Sequence, residues 1–483
     1  MRDLVSVALF SVLVTLAGVG GNQVLAEEPM TIAQEQGLGA REHPRILQRF
    51  GGEYPNVPLR LYVADVGARL VRTLPSTPYD FLFTLLDAPD AYAFAMPGGY
   101  VYVTRQMVAL ANTEAELAAV LAHEIAHVVS RHARQRQAMQ DDLRGGPAAE
   151  NIEAMHRFTR DQEFDADALS IQLLADAGYD PMAQARFLAT IGAQQELEQR
   201  AGSPRPRDAA SHPAIEARVI RATEAARAVT KAVQAKVDAT DGLLAGYLPL
   251  AAREVVWDEG RDKYLGMIDG LVYGRRPNEG MVVGNTYIDT YSRYTFTLPA
   301  GFHFTGTGRT ITARGPNGAS MRFDSQLLRS PQTEPLTTYL SRSISGGFTL
   351  EMLEEGTIGG MSAAFARASL RGSGGRPAIV QFTAIRVTPT TYFRFQFYLP
   401  EASPTMAEQS WQSPASLRRL SPEEAAAVQP MRVRVLTAEP ETEIEGFAAQ
   451  MRALDHPLEW LMMLNHLAPG ADPAAGSKFK IVQ

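Results

Sequence analysis

Apolar residues recur at helical spacing through most of the first 240 residues of the chain, with three short interruptions. In these interruptions, residues 81–86, 91–95 and 100–104, apolar, aromatic and β-branched residues cluster as they do in strands. From about residue 245 to residue 400, apolar and polar residues alternate between Gly-rich turns. The pattern predicts an α+β fold, in which a mainly helical domain with a small β-sheet is followed by an α+β domain.

Changes in the same pattern give the expected domain boundaries. We expect a first domain at residues 27–240, an accessory α+β domain at 245–400, a linker at 401–430 and a small module at 431–483. The accessory domain carries no cluster of His, Asp and Glu residues. A binding or positioning role is therefore expected for it, or no role other than added bulk.

The N-terminus has the pattern of a secretion signal. Arg2 supplies a positive charge, Leu4–Val19 is largely apolar, and Val24 and Ala26 are small residues at the −3 and −1 positions of a cleavage site. These features predict a signal peptide at residues 1–26 and a periplasmic protein. The alternative is an uncleaved anchor in the inner membrane, because the apolar run approaches the ~20 residues that span a bilayer.

The most continuous apolar run also carries the candidate chemistry. Thr113 and Glu116 form a Thr-x-x-Glu capping box, and the following helix contains His123, Glu124 and His127 as His-Glu-x-x-His. Residues four apart share a helix face, so both imidazoles can bind one Zn²⁺. Glu124 can reach a water as general base. A solvent-exposed helix is the alternative, but the apolar flanks indicate burial.

A second helical segment supplies the groups that such a site lacks. Glu163 and Asp167 lie four residues apart in a run that continues with apolar residues, although an exposed acidic helix start is the alternative. Catalytic zinc takes three protein ligands, so Glu163 is the expected third ligand. Asp167 is placed to accept the other ring N–H of a ligating histidine. His132, nine residues after His123, is expected on the opposite helix face and without a role.

Composition narrows the chemistry further. The chain has no Cys, so His and carboxylate side chains must hold the ion, one Zn²⁺ per chain. Its net charge of −7 gives no reason to expect nucleic acid as a partner.

Several motifs stand together within residues 28–225: Ala93–Gly99, Thr113–Ala118, Val120–His127, Glu163-x-x-Ala166-Asp167, and Ser211-His212-Pro213 followed by Arg218. This combination resembles the M48 peptidase family of gluzincin zinc metalloproteases, particularly its periplasmic β-barrel assembly-enhancing members. It is far more specific than His-Glu-x-x-His alone. The resemblance implies a zinc-dependent endopeptidase that hydrolyses unfolded or misassembled envelope proteins, with the outer-membrane assembly machinery as a candidate partner.

The resemblance also implies that His212 lies close to the metal, and its role stays open. It can donate to the oxyanion of the tetrahedral intermediate, with Arg218 as a second positive group. It can instead take the place of the water and hold the enzyme latent. A loop histidine bonded to the backbone is the third alternative.

Two further expectations concern binding. The small sheet beside the zinc helix suggests an edge strand that holds an extended substrate by main-chain hydrogen bonds, or an edge that is only structural. The order strand, helix, helix, strand in residues 431–483 is similar to a LysM module, a peptidoglycan-binding fold. Glu441-Thr442-Glu443 stands where such modules have Gly-Asp-Thr, so peptidoglycan binding stays open.

A function of another class fits the same features. An envelope chaperone or scaffold can use the cleft to hold unfolded chains, with proteolysis latent or secondary.

Overall fold

The computed structural model of the chain describes residues 30–143, 148–200, 215–241, 255–307, 310–331, 333–344, 350–371, 377–400, 404–451 and 454–483. The predicted signal peptide and His212 lie outside the described residues. Helices and several sheets follow one another along the chain, which confirms the α+β fold.

The described residues up to 241 form helices and a three-stranded sheet. The helices are α1 (Ile32–Arg49), α2 (Val57–Val71), α3 (Arg105–Leu110), α4 (Glu114–Val129), α5 (His132–Asp142), α6 (Ala148–Asp176), α7 (Ala183–Arg200) and α8 (Ile215–Asp241). The strands are β1 (Leu82–Leu86), β2 (Ala93–Met96) and β3 (Tyr100–Thr104). The central strand β3 runs parallel to β1 and antiparallel to β2. β2 is therefore an edge strand within this sheet.

Helix α4 is the centre of this part of the fold. Every residue from Glu114 to Val128 is buried, and the helix packs against α2, α6, α7 and β2. The Thr113 hydroxyl caps it by accepting from the N–H of Glu116 at 3.1 Å. The predicted capping box forms only in part, because the Glu116 carboxylate accepts from the N–H of Asn112 instead.

Two antiparallel sheets follow. The larger has seven strands in the order β10-β11-β12-β13-β9-β8-β7, and the smaller has four in the order β14-β6-β5-β4. Their strands are β4 (Met281–Val283), β5 (Thr286–Asp289), β6 (Tyr294–Thr297), β7 (His303–Thr307), β8 (Thr310–Arg314), β9 (Ser320–Leu327), β10 (Leu350–Ile358), β11 (Met361–Arg371), β12 (Pro377–Arg386), β13 (Thr391–Pro400) and β14 (Arg418–Arg419). α10 (Leu336–Ser343) packs on β10, β11 and β12. An aromatic core that includes Phe296, Phe323 and Phe395 joins the two sheets.

The structure has helices on the C-terminal side of the boundary expected at residue 245 and within the linker expected at 401–430, and the expected division into domains stays a prediction. α9 (Arg261–Ile268) contributes Tyr264 and Leu265 to the same hydrophobic core as α4. The expected linker carries the helices α11 (Pro404–Ser410), α12 (Gln412–Ser416) and α13 (Pro422–Ala427), and its strand β14 pairs with β6. The change in residue pattern marks where strands begin, which is not where the chain leaves the first core.

The last part of the chain has the expected order of elements, β15 (Val433–Thr437), α14 (Ile444–Ala448), α15 (Pro457–Asn465) and β16 (Lys478–Val482), with β15 antiparallel to β16. Its buried residues, Phe479 and Ile481 among them, belong to the core that surrounds α4. Between these two residues, the buried Lys480 ammonium donates to the carbonyl oxygens of Ala109, Leu110 and Ala111 at 2.9, 3.2 and 2.6 Å. Lys480 thereby satisfies the C-terminal carbonyls of α3.

Across the part of the chain that the structure describes, no helix combines the length and the apolar character that crossing a bilayer requires.

Replacing Lys480 with Met is expected to lower the free energy of unfolding by about 2–4 kcal/mol, because three carbonyls lose their buried donor. The measurement is urea unfolding followed by circular dichroism. Lys478→Met, on the same strand, is the matched control, because the Lys478 ammonium makes only an exposed contact of 3.5 Å to the Asp262 carbonyl. The control is expected to change the stability by no more than about 0.5 kcal/mol. Equal effects of the two substitutions would contradict the anchoring role of Lys480.

Candidate metal centre

Three side chains from two helices converge on one point. Nε2 of His123 and Nε2 of His127 lie 3.1 Å apart on one face of α4. Glu163 on α6 faces them, with Oε2 3.5 Å from His123 Nε2 and Oε1 3.6 Å from His127 Nε2. All three side chains are buried. Among the described residues, these three form a group that could hold a metal ion.

The three separations fit a zinc ion. In a tetrahedral site with bonds of about 2.0–2.1 Å, two ligand atoms lie about 3.3 Å apart. The distances of 3.1, 3.5 and 3.6 Å between the donor atoms are close to this value. Two imidazole nitrogens that face each other share at most one proton, whereas a cation between them satisfies both lone pairs. Three protein ligands leave one position for water or substrate.

Close packing of α4 on α6 brings the ligands together. Ala166 and Ser170, one turn apart on α6, are fully buried. The Ser170 hydroxyl donates to the carbonyl of Ala119 on α4 at 3.3 Å and contacts the side-chain oxygen of Gln184 at 2.9 Å. Small side chains on both helices allow this approach, and Glu163 precedes Ala166 by about one turn. The sequence therefore positions the third ligand through helix packing rather than through a loop.

Asp167 and Arg218 form a second layer behind the ligands. Asp167 Oδ1 lies 3.0 Å from His123 Nδ1, the nitrogen that faces away from the three-residue group, as the sequence predicts. Arg218 donates to both oxygens of Asp167, at 2.8 and 2.7 Å, and its third nitrogen lies 3.1 Å from Glu163 Oε2. The amide of Gln184 adds a further bond to Asp167 at 2.8 Å. This arrangement fixes the ring of His123 and the carboxylate of Glu163.

These contacts bear on the role expected for Arg218. The sequence suggested a second positive group for an oxyanion, but the guanidinium is directed at two buried carboxylates. Burial lowers the pKa of Arg218, but Asp167 and Glu163 outweigh burial and raise it above its ordinary value. The geometry favours a positioning role. His212 lies outside the described residues, so its expected place beside the metal stays a prediction.

Burial and neighbouring charges set the protonation of the centre. Burial lowers the pKa of His123, but Asp167 and Glu163 outweigh it and raise this pKa to about 9. Burial and then the charge of His123 hold the pKa of His127 well below its ordinary value. Burial raises the pKa of Glu163, but Arg218 and the two histidines hold it well below its usual range. Two ionised carboxylates thus face the histidines, and the site favours a positive charge.

Glu124 lies next to His123 on α4 and is buried. Burial, and with it the charge of Glu163, outweighs the opposing charges of His123 and Arg218 and raises the pKa of its carboxyl to about 7. A carboxylate with a pKa near neutrality accepts a proton more readily than an ordinary glutamate. The position and the chemistry of Glu124 suit a general base, and this role stays a prediction.

His132 is a partner of the site that sequence reasoning missed. The expectation that it lies on the opposite helix face was wrong, because α4 ends at Val129 and Arg131 turns the chain in the left-handed conformation with φ of 53°. His132 then begins α5, and its Nδ1 lies 2.8 Å from Nδ1 of His127. No residue in Val129-Ser130-Arg131 marks this chain reversal in the sequence, because arginine rarely adopts a positive φ.

β2, which packs against α4, offers main-chain groups along an edge of the sheet. Tyr92 and Thr104 form a hydrogen-bonded pair, since the Thr104 N–H donates to the Tyr92 carbonyl at 2.9 Å. In an antiparallel pair, bonded and non-bonded residues alternate. Ala93 and Ala95 therefore direct their N–H and C=O groups away from β3. Among the described residues, no strand pairs with β2 on that side.

The sequence of this chain is similar to known proteins over the part that contains the site. Residues 60–145 and 146–226 match the model of Peptidase family M48. The β-barrel assembly-enhancing protease of Escherichia coli (strain K12) is 30% identical over 225 residues, which is 40% of this chain and 44% of that protein. The putative β-barrel assembly-enhancing protease of Vibrio cholerae serotype O1 is 30% identical over 230 residues, 42% of this chain and 46% of that protein.

A mitochondrial relative matches a shorter part of this chain. The mitochondrial metalloendopeptidase OMA1 of Schizosaccharomyces pombe is 30% identical over 141 residues, which cover 26% of this chain and 42% of that protein. The matched part thus spans less than half the length of each of these three relatives.

Replacing His132 with Ala is expected to weaken zinc binding about 10–100-fold, because His127 loses the partner that fixes its ring orientation. The measurement is a competition titration with a zinc-binding dye. His132→Asn is the matched variant, because its side-chain oxygen can take the place of the imidazole Nδ1 as acceptor, and it is expected to retain most of the affinity. Wild-type affinity in the Ala variant would remove His132 from this role.

Proposed function

We propose that the chain belongs to peptidase family M48, whose model its residues 60–226 match, and that it is a zinc-dependent endopeptidase. The family match and the metalloendopeptidases among its relatives support a metalloprotease. The choice of zinc and the cleavage of internal peptide bonds are our proposal. The observation that carries it is the convergence of His123, His127 and Glu163, with Glu124 on the same helix as the two histidines.

The roles of the chain's own residues follow from their positions. A zinc ion held by His123, His127 and Glu163 would supply Lewis acidity for polarising a carbonyl and for lowering the pKa of water. Glu124 takes the proton of the attacking water and later delivers it to the leaving amine. Asp167 keeps the ring of His123 in the tautomer that directs Nε2 towards the other ligands. Arg218 keeps both carboxylates ionised and in place.

Two roles for His212 belong to the proposal, and a loop histidine bonded to the backbone stays the alternative. As an oxyanion donor it stabilises the negative oxygen of the tetrahedral intermediate. As a latch it takes the place of the water and holds the peptidase latent. Arg218 contributes to the first role only through its charge, because its nitrogens already contact Asp167 and Glu163.

The substrates that we propose are unfolded chains. Main-chain groups of Ala93 and Ala95 on β2 are available to an extended peptide, which pairs with them independently of most of its side chains. Two of the relatives bear the name β-barrel assembly-enhancing protease. We therefore include misassembled outer-membrane proteins among the substrates and the outer-membrane assembly machinery among the candidate partners.

The location and the tail complete the proposal. Residues 1–26 direct the chain to the periplasm, where such substrates occur, or anchor it in the inner membrane facing the periplasm. Peptidoglycan is a further candidate partner of the LysM-like residues 431–483. Because these residues share the core around α4, purified cell-wall sacculi should be tested with the full chain rather than with the tail alone.

The alternative of an envelope chaperone or scaffold is supported by the same edge of β2, which can hold an unfolded chain without cutting it. Complementation of a deletion strain separates the two functions. A His123→Ala variant that rescues as well as the wild type would favour the chaperone, whereas loss of rescue by a folded variant favours the peptidase.

Replacing Glu124 with Gln is expected to lower the rate of casein cleavage by about 10²–10⁴-fold while zinc remains bound, because the general base is lost and the ligands are not. Cleavage is followed by mass spectrometry, and zinc content by elemental analysis with and without chelator. Glu153→Gln, an exposed glutamate on α6, removes the same charge and is expected to leave the rate unchanged. Full turnover by the Glu124→Gln protein would exclude Glu124 as the base.

The same variant identifies substrates. A tagged Glu124→Gln chain expressed in cells is expected to retain envelope proteins that the wild type releases after cleavage. Bound proteins are identified by mass spectrometry and compared with those retained by Glu124→Gln/His123→Ala. If the tagged Glu124→Gln chain enriches no envelope protein, the proposed substrates are contradicted and the peptidase chemistry is not.

A further inference from the structure

The three-stranded sheet has two different apolar faces. On one face, Ala93 of β2 and Val101 and Val103 of β3 belong to the core around α4. On the other face, Phe94 and Met96 of β2 form a separate cluster that includes Ile46 of α1. Successive side chains of a strand point to opposite faces. β2 therefore lies with one side towards the helix that carries the metal ligands and the other towards α1.

A cavity of about 90 Å³ opens between α1 and β2. Its apolar wall consists of Ile46, Phe50, Phe94 and Met96, and three charged residues, Glu42, Arg45 and Arg49, also line it. Ile46, Phe94 and Met96 are each less than 10% exposed, so the wall is part of the folded core rather than a loose surface.

We propose that this cavity is a specificity subsite, which takes one medium-sized aliphatic side chain of an extended peptide paired with β2. The inference rests on the proposed function and names the kind of residue that the peptidase prefers near the cleaved bond. A peptide strand added to the edge of β2 continues the sheet. Its alternate side chains then point to the same face as Phe94 and Met96, which is the face where the cavity opens.

The size of the cavity selects aliphatic side chains. An apolar cavity of about 150 Å³ holds a benzene ring. A cavity of about 90 Å³ is too small for an aromatic ring and suits Val, Leu, Ile or Met. Charges of both signs line the rest of the cavity, where Glu42 pairs with Arg45 at 2.7 Å, so the apolar wall rather than a net charge sets the preference.

The subsite has a fixed position relative to the metal centre. Arg131, which follows α4 directly, donates to the Glu35 carboxylate of α1 at 2.9 and 2.6 Å and to the Met30 carbonyl at 2.7 Å. The same turn at Arg131 brings His132 to His127. One short segment therefore ties α1, which forms one wall of the cavity, to the helix of the metal ligands.

The experiment changes the volume of the cavity in both directions. Ile46→Ala enlarges it and Ile46→Phe fills it, and Leu47→Ala is the matched control, because Leu47 packs on the same cluster without lining the cavity. β-Casein, an unfolded chain, is digested by each variant, and the cleaved bonds are mapped by mass spectrometry. Circular dichroism and zinc content verify that each variant is folded and loaded.

The wild type is expected to show one position near the cleaved bond that is enriched in Val, Leu, Ile and Met. On peptides that differ at this position alone, Ile46→Ala should raise kcat/KM for Phe relative to Leu by about tenfold, and Ile46→Phe should shift the preference to Ala by a similar factor. Leu47→Ala should keep the wild-type preference. A wild type without such a position, or a preference that Ile46 does not alter, overturns the subsite.

A binding measurement separates this inference from the proposed function. Fluorescence anisotropy of labelled β-casein peptides on the Glu124→Gln protein reports affinity without cleavage. If the affinity for aliphatic residues changes with the Ile46 substitutions, the subsite is supported even when the wild type cleaves nothing. In that case only the proposed function is contradicted. Cleavage together with an affinity that ignores Ile46 overturns the subsite and leaves the peptidase in place.

Discussion

The burial of α4 is the constraint on which this structure depends. A helix that is buried from Glu114 to Val128 and carries two histidines and three glutamates must give each of them a partner, because an unpaired buried charge costs several kcal/mol. Arg218 supplies much of this compensation for the metal centre. It contacts Asp167 and Glu163 at once, and these two carboxylates in turn contact the two ring nitrogens of His123.

How much of the site could be predicted from the sequence depends on how local each relation is. His123 and His127 are one helical turn apart, so their spacing alone indicates that both can bind one metal ion. Glu163 and Asp167 have the same spacing on a second helix, and packing of one helix on the other was enough to bring the pairs together. The α+β fold also followed from the pattern of apolar residues, because helical and alternating periods differ clearly.

The relations that failed or stayed unseen depend on chain reversals and on distant packing. His132 reaches His127 only because Arg131 adopts a positive φ, and no periodicity shows where a helix stops. The contacts of Arg218 depend on how α8 lies against α6, and the sequence indicated only that this arginine was near the site. Tyr264 likewise belongs to the core of α4, although it follows the change in residue pattern near residue 245.

The contact between Lys480 and the end of α3 has a consequence for the order of assembly. Its two partners are separated by about 370 positions along the chain, and the turn they stabilise leads directly into α4. During synthesis the N-terminal part of the chain emerges first. α4 and α6 are therefore exposed before Lys480 can contact the end of α3. A newly made molecule therefore completes its core only once residue 480 has emerged, and an incomplete copy has an unfinished core beside the candidate metal centre.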